Sequence, residues 1–176
     1  ASVLEMAAYY SKHSPRPSRS LVFVTFGAEE MGILGSRFFT ENPVIDLDKI
    51  SLMINLDMIG RMNADSSLQI GGAGTSKKLK KFIEETNDSF NLNLKISDAG
   101  YGPSDHASFY AKNVPVIFFS TGPHKDYHTP KDRIDSLNFE GMLLTTNFIR
   151  SFASKIIDRD SMLVFQEAGP KQGVSR

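Results

Sequence analysis

The stretch Leu21-Val22-Phe23-Val24-Thr25-Phe26-Gly27-Ala28-Glu29-Glu30 decides the fold of this chain. Six apolar or β-branched residues run without a charge and end at a glycine, which two adjacent glutamates follow. An unbroken run of this kind is typical of a strand buried on both faces of a parallel sheet. Such a strand delivers the residues after it to the carboxyl edge of the sheet, where open α/β folds bind their ligands. The sequence therefore predicts that Glu29 and Glu30 lie at a ligand-binding rim.

A helix is predicted over residues 31–39, directly after the two glutamates, because Leu34 and Phe38 fall on one helical face. Acidic residues are ordinary in the first turn of a helix, since the helix dipole favours negative charge there. Taken alone, the glutamate pair therefore indicates no more than a helix start. The pair indicates a functional site only if other strand ends also carry side chains that can bind a metal ion.

Two further apolar runs end near such side chains. Ile50 to Leu56 predicts a strand that stops at Asp57, and Val114 to Phe119 predicts an inner strand before the loop that carries His128. A carboxylate in apolar sequence is costly unless its charge is compensated, although Asp57 could also cap backbone amides in a turn. Because these strands should share one sheet edge, we expect Glu30, Asp57 and His128 to meet there.

The remaining periodicity completes an α/β pattern. Leu68 to Ile70 and Leu92 to Ile96 predict short strands, and a long closing helix is predicted after its N-cap, Asn138. The order of elements predicts a three-layer α/β/α fold with a mostly parallel central sheet. We expect a single domain over residues 1–167 and a disordered tail over residues 168–176. The helical spacing of residues 1–10 lacks an N-cap, so the domain is expected to be truncated at its amino-terminal end.

Composition excludes several classes of partner. The 176 residues carry 20 acidic and 20 basic side chains, so the net charge of zero favours neither nucleic acid nor a membrane surface. No stretch of the sequence is long and apolar enough to span a bilayer. The chain has no cysteine, so any metal must be held by carboxylate and imidazole groups.

Zinc accepts these ligands at about 2.0–2.2 Å, and catalytic zinc sites keep one position open for water. A bound zinc ion lowers the pKa of that water to about 7. A carboxylate that does not bind the metal can then take the proton and pass it to a leaving amine. Because Glu29 and Glu30 are adjacent and cannot easily point the same way, we expect one ligand and one base. The leading chemistry is metal-assisted hydrolysis of an amide bond.

Four blocks of sequence resemble the co-catalytic zinc aminopeptidases, family twenty-eight of the metallopeptidases. In the family's order they are Gly27 to Ser36, Asn55 to Gly60, Ser104 to Phe109 and Tyr127 to Asp132. Together they cover most of the chain from Leu21 to Ile157. Each block alone is weak evidence for the resemblance, but four blocks in the family's order are specific to the family.

The resemblance implies a role for each matching position. Glu29 matches the general base, Glu30 and His128 match ligands of a first zinc ion, and Asp57 matches a ligand of a second zinc ion. Two zinc ions are therefore the cofactors that the resemblance implies for the complete enzyme.

Four further residues receive roles from the same resemblance. Tyr101 resembles a tyrosine that faces the substrate carbonyl in some members, and His106 falls where others place a tyrosine. Both are candidate catalytic hydrogen-bond donors in the transition state. Asp105 and Asp132 are expected to support the metal ligands without binding metal themselves.

The family also has a histidine ligand and a bridging aspartate upstream of the two glutamates, and this sequence shows neither. His13 is no substitute, since it lies in a loop rich in proline and arginine. We therefore expect the carboxyl-terminal part of an aminopeptidase catalytic domain, whose substrate would be a peptide with a free amino terminus. This chain alone should be inactive or nearly so, with its zinc site incomplete or empty.

Two alternatives stay open. A glutaminyl cyclase shares the fold and uses one zinc ion for acyl transfer, but typically has a tryptophan before the last histidine, where this chain has Tyr127. A non-catalytic binding module on the same fold would have lost its metals, which the presence of the four matching polar residues argues against. By analogy with the family we expect a secreted or periplasmic protein, and an exposed sheet edge would favour pairing into a homo-oligomer.

Overall fold

The computed structural model describes residues 1–171, which contain five α-helices and four β-strands. The helices are α1 (Ser2–Lys12), α2 (Leu34–Glu41), α3 (Leu79–Asn87), α4 (His106–Tyr110) and α5 (Phe139–Ile157). The strands are β1 (Met53–Leu56), β2 (Ser67–Gly71), β3 (Asn93–Ile96) and β4 (Val116–Ser120).

The four strands form one sheet in the order β1-β4-β2-β3. β1 runs parallel to β4 and β2 runs parallel to β3, whereas β2 and β4 are antiparallel. Residues of α1, α3 and α5 pack on one face of the sheet, and residues of α2 and α4 pack on the other. The predicted three-layer fold with a mostly parallel central sheet is confirmed.

The core is centred on β4, whose side chains alternate between the two faces of the sheet. Ile117 and Phe119 point toward α5 and contact a cluster that includes Phe148, while Val116 packs with Phe109 of α4 on the opposite face. All of these side chains are buried. Burying an aromatic or branched aliphatic side chain contributes roughly 1.5–3 kcal/mol, so β4 contributes strongly to stability on both faces.

The predicted buried strand at Leu21 to Phe26 is wrong. These six residues form no strand and take part in no hydrogen bond within residues 1–171. The side chains of Val22 and Val24 are 58% and 38% exposed. Strand propensity is realised only against a paired neighbour, and no strand among the described residues lies alongside this segment to pair with it.

An apolar groove of about 570 Å³ lies between this segment and β1. Met53 donates its backbone N–H to Pro115 of the β4 side at 2.9 Å, which fixes the direction of alternate residues along β1. The backbone of Ile54 and Leu56 consequently faces the groove. Leu21 to Phe26 and β1 therefore line the groove with polar backbone groups that have no partner within residues 1–171.

The closing helix follows its sequence signals closely. The side chain of Asn138 accepts a hydrogen bond from the backbone N–H of Gly141 at 2.8 Å, so the predicted N-cap is confirmed. The helix then runs to Ile157 with its apolar residues on the sheet. Within residues 1–171, none of the helices combines the length and the apolar character that crossing a lipid bilayer would need.

Part of the predicted tail packs on the domain. The backbone of Ala168 donates to the hydroxyl of Tyr110 at 2.8 Å and accepts from the backbone N–H of Gly100 at 2.9 Å. Residues 172–176 of the predicted tail lie outside the described residues. The division into a domain over residues 1–167 and a disordered tail stays a prediction.

Candidate active site

The two glutamates lie in a tight turn that precedes α2. The carbonyl of Glu29 accepts hydrogen bonds from the backbone N–H groups of Gly32 at 3.0 Å and Ile33 at 2.7 Å. Ala28 and Ile33 have φ angles of 56° and 51°, so α2 begins only at Leu34 and its first turn carries no acidic residue. The helix predicted from residue 31 starts too early, and the helix dipole does not explain the glutamate pair.

Asp57 directly follows β1, as predicted. Its backbone N–H donates to the carbonyl of Phe119 at 3.1 Å, which continues the parallel pairing of β1 with β4 for one more residue. The next residue, Met58, has a left-handed φ of 54° that turns the chain away from the sheet. The Asp57 carboxylate makes no hydrogen bond within the described residues, so it does not cap a turn there.

His128 reaches the glutamate turn from the loop after β4. Its Nε2 lies 2.7 Å from Oε1 of Glu30, and its ring stacks on Tyr127 with the centroids 3.8 Å apart. The side chains of His128 and Glu30 are 55% and 68% exposed, so both are open to solvent. His128 itself has a left-handed φ of 57°.

Each of the three predicted ligands, Glu30, Asp57 and His128, lies within two residues of a position in the left-handed region, or is itself such a position. The left-handed residues are Ala28, Met58 and His128. Non-glycine residues rarely adopt this conformation, and its cost of about 1–2 kcal/mol per residue must be offset by the surrounding structure. Backbone strain of this kind is concentrated at functional sites, which supports a functional role for this rim.

The electrostatics show that the acidic residues share one rim. The pKa of Glu29 is raised by burial and by the nearby charges of Asp57, Glu30 and Asp105. Burial raises the pKa of the Asp105 carboxyl as well, and the charge of Asp57 adds to the shift. Partial desolvation, together with the charges of Glu30, Asp57 and Glu29, raises the pKa of the Tyr127 phenol. Three carboxylates thus repel that of Glu29, and a bound cation would relieve this repulsion.

The donor set fits zinc in its chemistry, because carboxylate oxygens and imidazole nitrogen are ordinary zinc ligands. Within residues 1–171, however, no three histidine or acidic side chains approach closely enough to hold a metal ion together. Glu30 and His128 converge as a pair, and Asp57 lies within electrostatic range of the same rim. The residues present therefore fit zinc as part of a ligand set.

The two predicted hydrogen-bond donors differ in accessibility. Tyr101 is 37% exposed, whereas His106 is 2% exposed and stacks on Phe118 of β4. The Nδ1 of His106 lies 3.3 Å from the side-chain nitrogen of Asn55, and a Cβ atom built on Gly102 would lie 2.7 Å from its Nε2. His106 would reach a substrate only if the loop at Gly102 moved. A catalytic role for either residue stays a prediction.

The supporting aspartates also lie in different surroundings. Asp105 immediately precedes α4 and has a buried Oδ1 atom with no partner within residues 1–171. Asp132 accepts a hydrogen bond from the guanidinium of Arg61, which lowers the pKa of its carboxyl. The sequence did not predict Arg61 or its second partner, Asp126. A signal was present, since Arg61 is a charged residue that closely follows the apolar run of β1.

The chain is similar in sequence and fold to several known proteins. Leupeptin-inactivating enzyme 1 of Streptomyces exfoliatus is 32% identical over 117 residues, which are 66% of this chain and 26% of that protein. A probable leucine aminopeptidase of Arthroderma otae is 26% identical over 146 residues, which are 79% of this chain and 39% of that protein. The chain therefore spans less than half the length of these relatives.

A solved zinc aminopeptidase from Bacillus subtilis has the same fold, with a TM-score of 0.75 at 22% sequence identity. The match covers 90% of this chain and 40% of that protein. The model of peptidase family M28 matches residues 1–153, which include Glu29, Glu30, Asp57 and His128. The chain belongs to peptidase family M28.

Proposed function

We propose that this chain carries the base and part of the metal-ligand set of a zinc-dependent aminopeptidase, which removes amino-terminal residues from peptides. The observation that carries the proposal is the 2.7 Å contact between His128 Nε2 and Glu30 Oε1, beside a second glutamate whose pKa is raised. Two of the matching proteins are named as a leucine aminopeptidase and a zinc aminopeptidase, which supports the same assignment.

In this proposal Glu30 and His128 would hold one zinc ion and Asp57 would contribute to a second. When bound, zinc supplies Lewis acidity that polarises the scissile carbonyl and acidifies water. Glu29 takes a proton from the attacking water and delivers it to the leaving amine, a role that its raised pKa suits. The acidic rim also attracts the protonated amino terminus of a peptide, which favours cleavage at that end.

The ligand count limits what the chain does alone. Glu30 and His128 supply two ligands at one position and Asp57 supplies one at the other, whereas zinc sites are usually four-coordinate. We infer that a histidine and a bridging aspartate from polypeptide outside these 176 residues complete the set. The isolated chain should consequently bind zinc weakly and turn over little or no substrate.

The test is hydrolysis of leucine p-nitroanilide, with zinc content measured on the same samples. In protein that contains the complete ligand set, Glu29→Gln should lower kcat by roughly 10²–10⁴-fold and leave zinc content unchanged, because it removes a base and not a ligand. His128→Gln should lower both kcat and zinc content, because it removes a proposed ligand. Glu140→Gln, at an exposed position on α5, is the matched control and should change neither.

Two results would contradict the proposal: full activity in Glu29→Gln, or unchanged zinc content in His128→Gln. Zinc-dependent turnover by residues 1–176 alone, abolished by Glu29→Gln, would show that the predicted inactivity is wrong. A glutaminyl cyclase would instead release ammonia from a peptide with amino-terminal glutamine, and a binding module would bind no zinc even with the ligand set complete. Export and homo-oligomer formation through an exposed sheet edge stay predictions.

A further inference from the structure

The loop that carries His128 is held from both sides by one arginine. The Arg61 guanidinium donates to the carboxylate of Asp132 and lies 3.5 Å from that of Asp126. His128 lies between these two aspartates in the sequence. Arg61 itself belongs to the loop that continues from Asp57, so its contacts join the two loops that carry predicted ligands.

The same two loops are also joined through their backbones. The hydroxyl of Thr121 donates to the carbonyl of Met58 at 2.6 Å and accepts from the backbone N–H of Arg61 at 3.2 Å. The backbone N–H of Thr121 donates to the same Met58 carbonyl at 3.1 Å. The backbone of Arg61 is therefore restrained by its hydrogen bond to Thr121. Because its guanidinium contacts Asp126 and Asp132, Arg61 can restrain the loop that carries His128.

His128 has few contacts of its own that would hold it. Its side chain is more than half exposed and contacts Tyr127 and Glu30, while its backbone has the unfavourable left-handed conformation. Within the loop, the backbone N–H of Thr129 donates to the backbone carbonyl of Asp126, and the backbone N–H of Asp132 donates to the backbone carbonyl of Thr129. These bonds close two turns between the aspartates that Arg61 contacts, so restraint of the aspartates also restrains the residue between them.

We propose that Arg61 is a positioning residue that holds the His128 loop in the geometry where the imidazole meets Glu30. Its side chain is 14% exposed and that of Asp126 is 13% exposed, so this pair is much less screened than a surface ion pair. A guanidinium suits the task because its planar fork can donate to two carboxylates at once, which a lysine ammonium does less well. The proposal rests on the proposed function only for its consequence, which is tighter zinc binding.

The first experiment measures positioning in the metal-free chain by amide hydrogen exchange. Arg61→Met should raise the exchange rates of the Thr129 and Asp132 amides about tenfold or more, while the amides of α3 and α5 remain unchanged. Lys80→Met is the matched control, because it removes an ion pair with Asp98 that lies outside both loops. A uniform rise in every amide would overturn the proposal, since it would show that Arg61 supports the fold as a whole.

The second experiment measures zinc affinity by competition with a chelator, in protein that contains the complete ligand set. Loss of groups that orient a ligand typically lowers metal affinity by about 10–100-fold. We expect Arg61→Met to fall in this range, Arg61→Lys to recover part of the loss, and Lys80→Met to match the parent. If Arg61→Met alters affinity less than threefold, the positioning role is wrong. If the parent binds no zinc, the proposed function fails, and the exchange experiment still decides whether Arg61 holds the loop.

Discussion

The core around β4 and the rim that carries the acidic residues are built in opposite ways. Around β4, side chains such as Phe119 and Phe148 are fully buried and pack closely against one another. At the rim, Glu30 and His128 are largely exposed, the Asp57 carboxylate has no hydrogen bond within the described residues, and nearby backbone is left-handed. The sheet stabilises the fold, whereas the loops at its edge carry charged groups whose mutual repulsion lowers the stability of the fold.

This difference shows how the chain can maintain an unfavourable site. Parallel pairing of β1 with β4 fixes where Asp57 leaves the sheet, and hydrogen bonds in the turn fix where Glu29 and Glu30 lie. The rim is consequently positioned by backbone contacts and by the Arg61 ion pairs more than by packing of its own side chains. Substitutions in the core should change stability, whereas substitutions at the rim should change mainly function.

The largest effect is expected in the core, from Phe119→Ala. Phe119 is fully buried and packs on the rings of Phe148 and Phe152 in α5. Removing a buried phenylalanine ring typically costs about 3–5 kcal/mol, because both transfer free energy and packing contacts are lost. Urea unfolding followed by circular dichroism would measure the change. A loss below 1 kcal/mol would mean that β4 is not the centre of the core.

The second prediction concerns acid and His106, which lies between core and rim. Burial lowers the pKa of His106 from 6.5 to about 4, so the imidazole of the folded chain is neutral at pH values well above 4. Its contribution to stability is complete above pH 6.5 and is lost as the pH falls from 6.5 to 4, because the unfolded chain then binds a proton that the folded chain does not. The expected loss is about 3 kcal/mol at pH 4.

Urea unfolding at several pH values would measure this dependence, with two variants for comparison. His106→Phe should remove most of the dependence between pH 6.5 and 4, whereas the exposed His13→Gln should retain it. An unchanged pH dependence in His106→Phe would contradict the prediction.

A smaller and opposite effect is expected at the rim from Met58→Gly. Glycine adopts positive φ without the steric cost that Met58 bears at 54°, although it also increases the entropy of the unfolded chain. The net expectation is a gain of about 0.5–1 kcal/mol in the free energy of unfolding. Met142→Gly in the first turn of α5 is the control and should lose up to about 1 kcal/mol. A loss of stability in Met58→Gly would show that Met58 is not strained.

The smallest effect on stability should come from Asp57→Asn. The carboxylate has no hydrogen bond to lose within the described residues, and its removal relieves repulsion with Glu29. Stability should therefore change by less than about 0.5 kcal/mol, as for most substitutions away from packed regions. Thermal unfolding of the metal-free protein would measure this, and a loss above 1 kcal/mol would break the contrast between core and rim.

The sequence predicted elements whose signals are local. Asn138 and the periodic apolar residues after it define α5, and the short runs at β2 and β3 are confirmed as strands. The sequence also predicted that Glu30 and His128 would meet, and their side chains are in contact, whereas Asp57 does not join them in one cluster within residues 1–171. The roles of these residues as zinc ligands stay predictions. The apolar run at Leu21 to Phe26 misled because strand formation depends on a neighbour that the run itself does not reveal.

Contacts between distant loops were beyond the sequence. Arg61 meets Asp126 and Asp132 only because β1 and β4 are adjacent in the sheet, and nothing in the spacing of these residues announces the pairing. The burial of His106 was likewise hidden, since its neighbours in sequence are those of a polar loop. Spatial adjacency of strands had to be known before either relation could be inferred.

One side of β1 pairs with no strand within residues 1–171, and this affects how the protein should be handled. A strand with free N–H and C=O groups along one side is a template for adding further strands, and here apolar side chains flank those groups. Concentrated solutions should therefore favour intermolecular sheet growth at this side of the molecule. Replacing Val24 with a charged residue should improve solubility and leave the acidic rim unaltered, because Val24 is partly exposed and makes no hydrogen bond within residues 1–171.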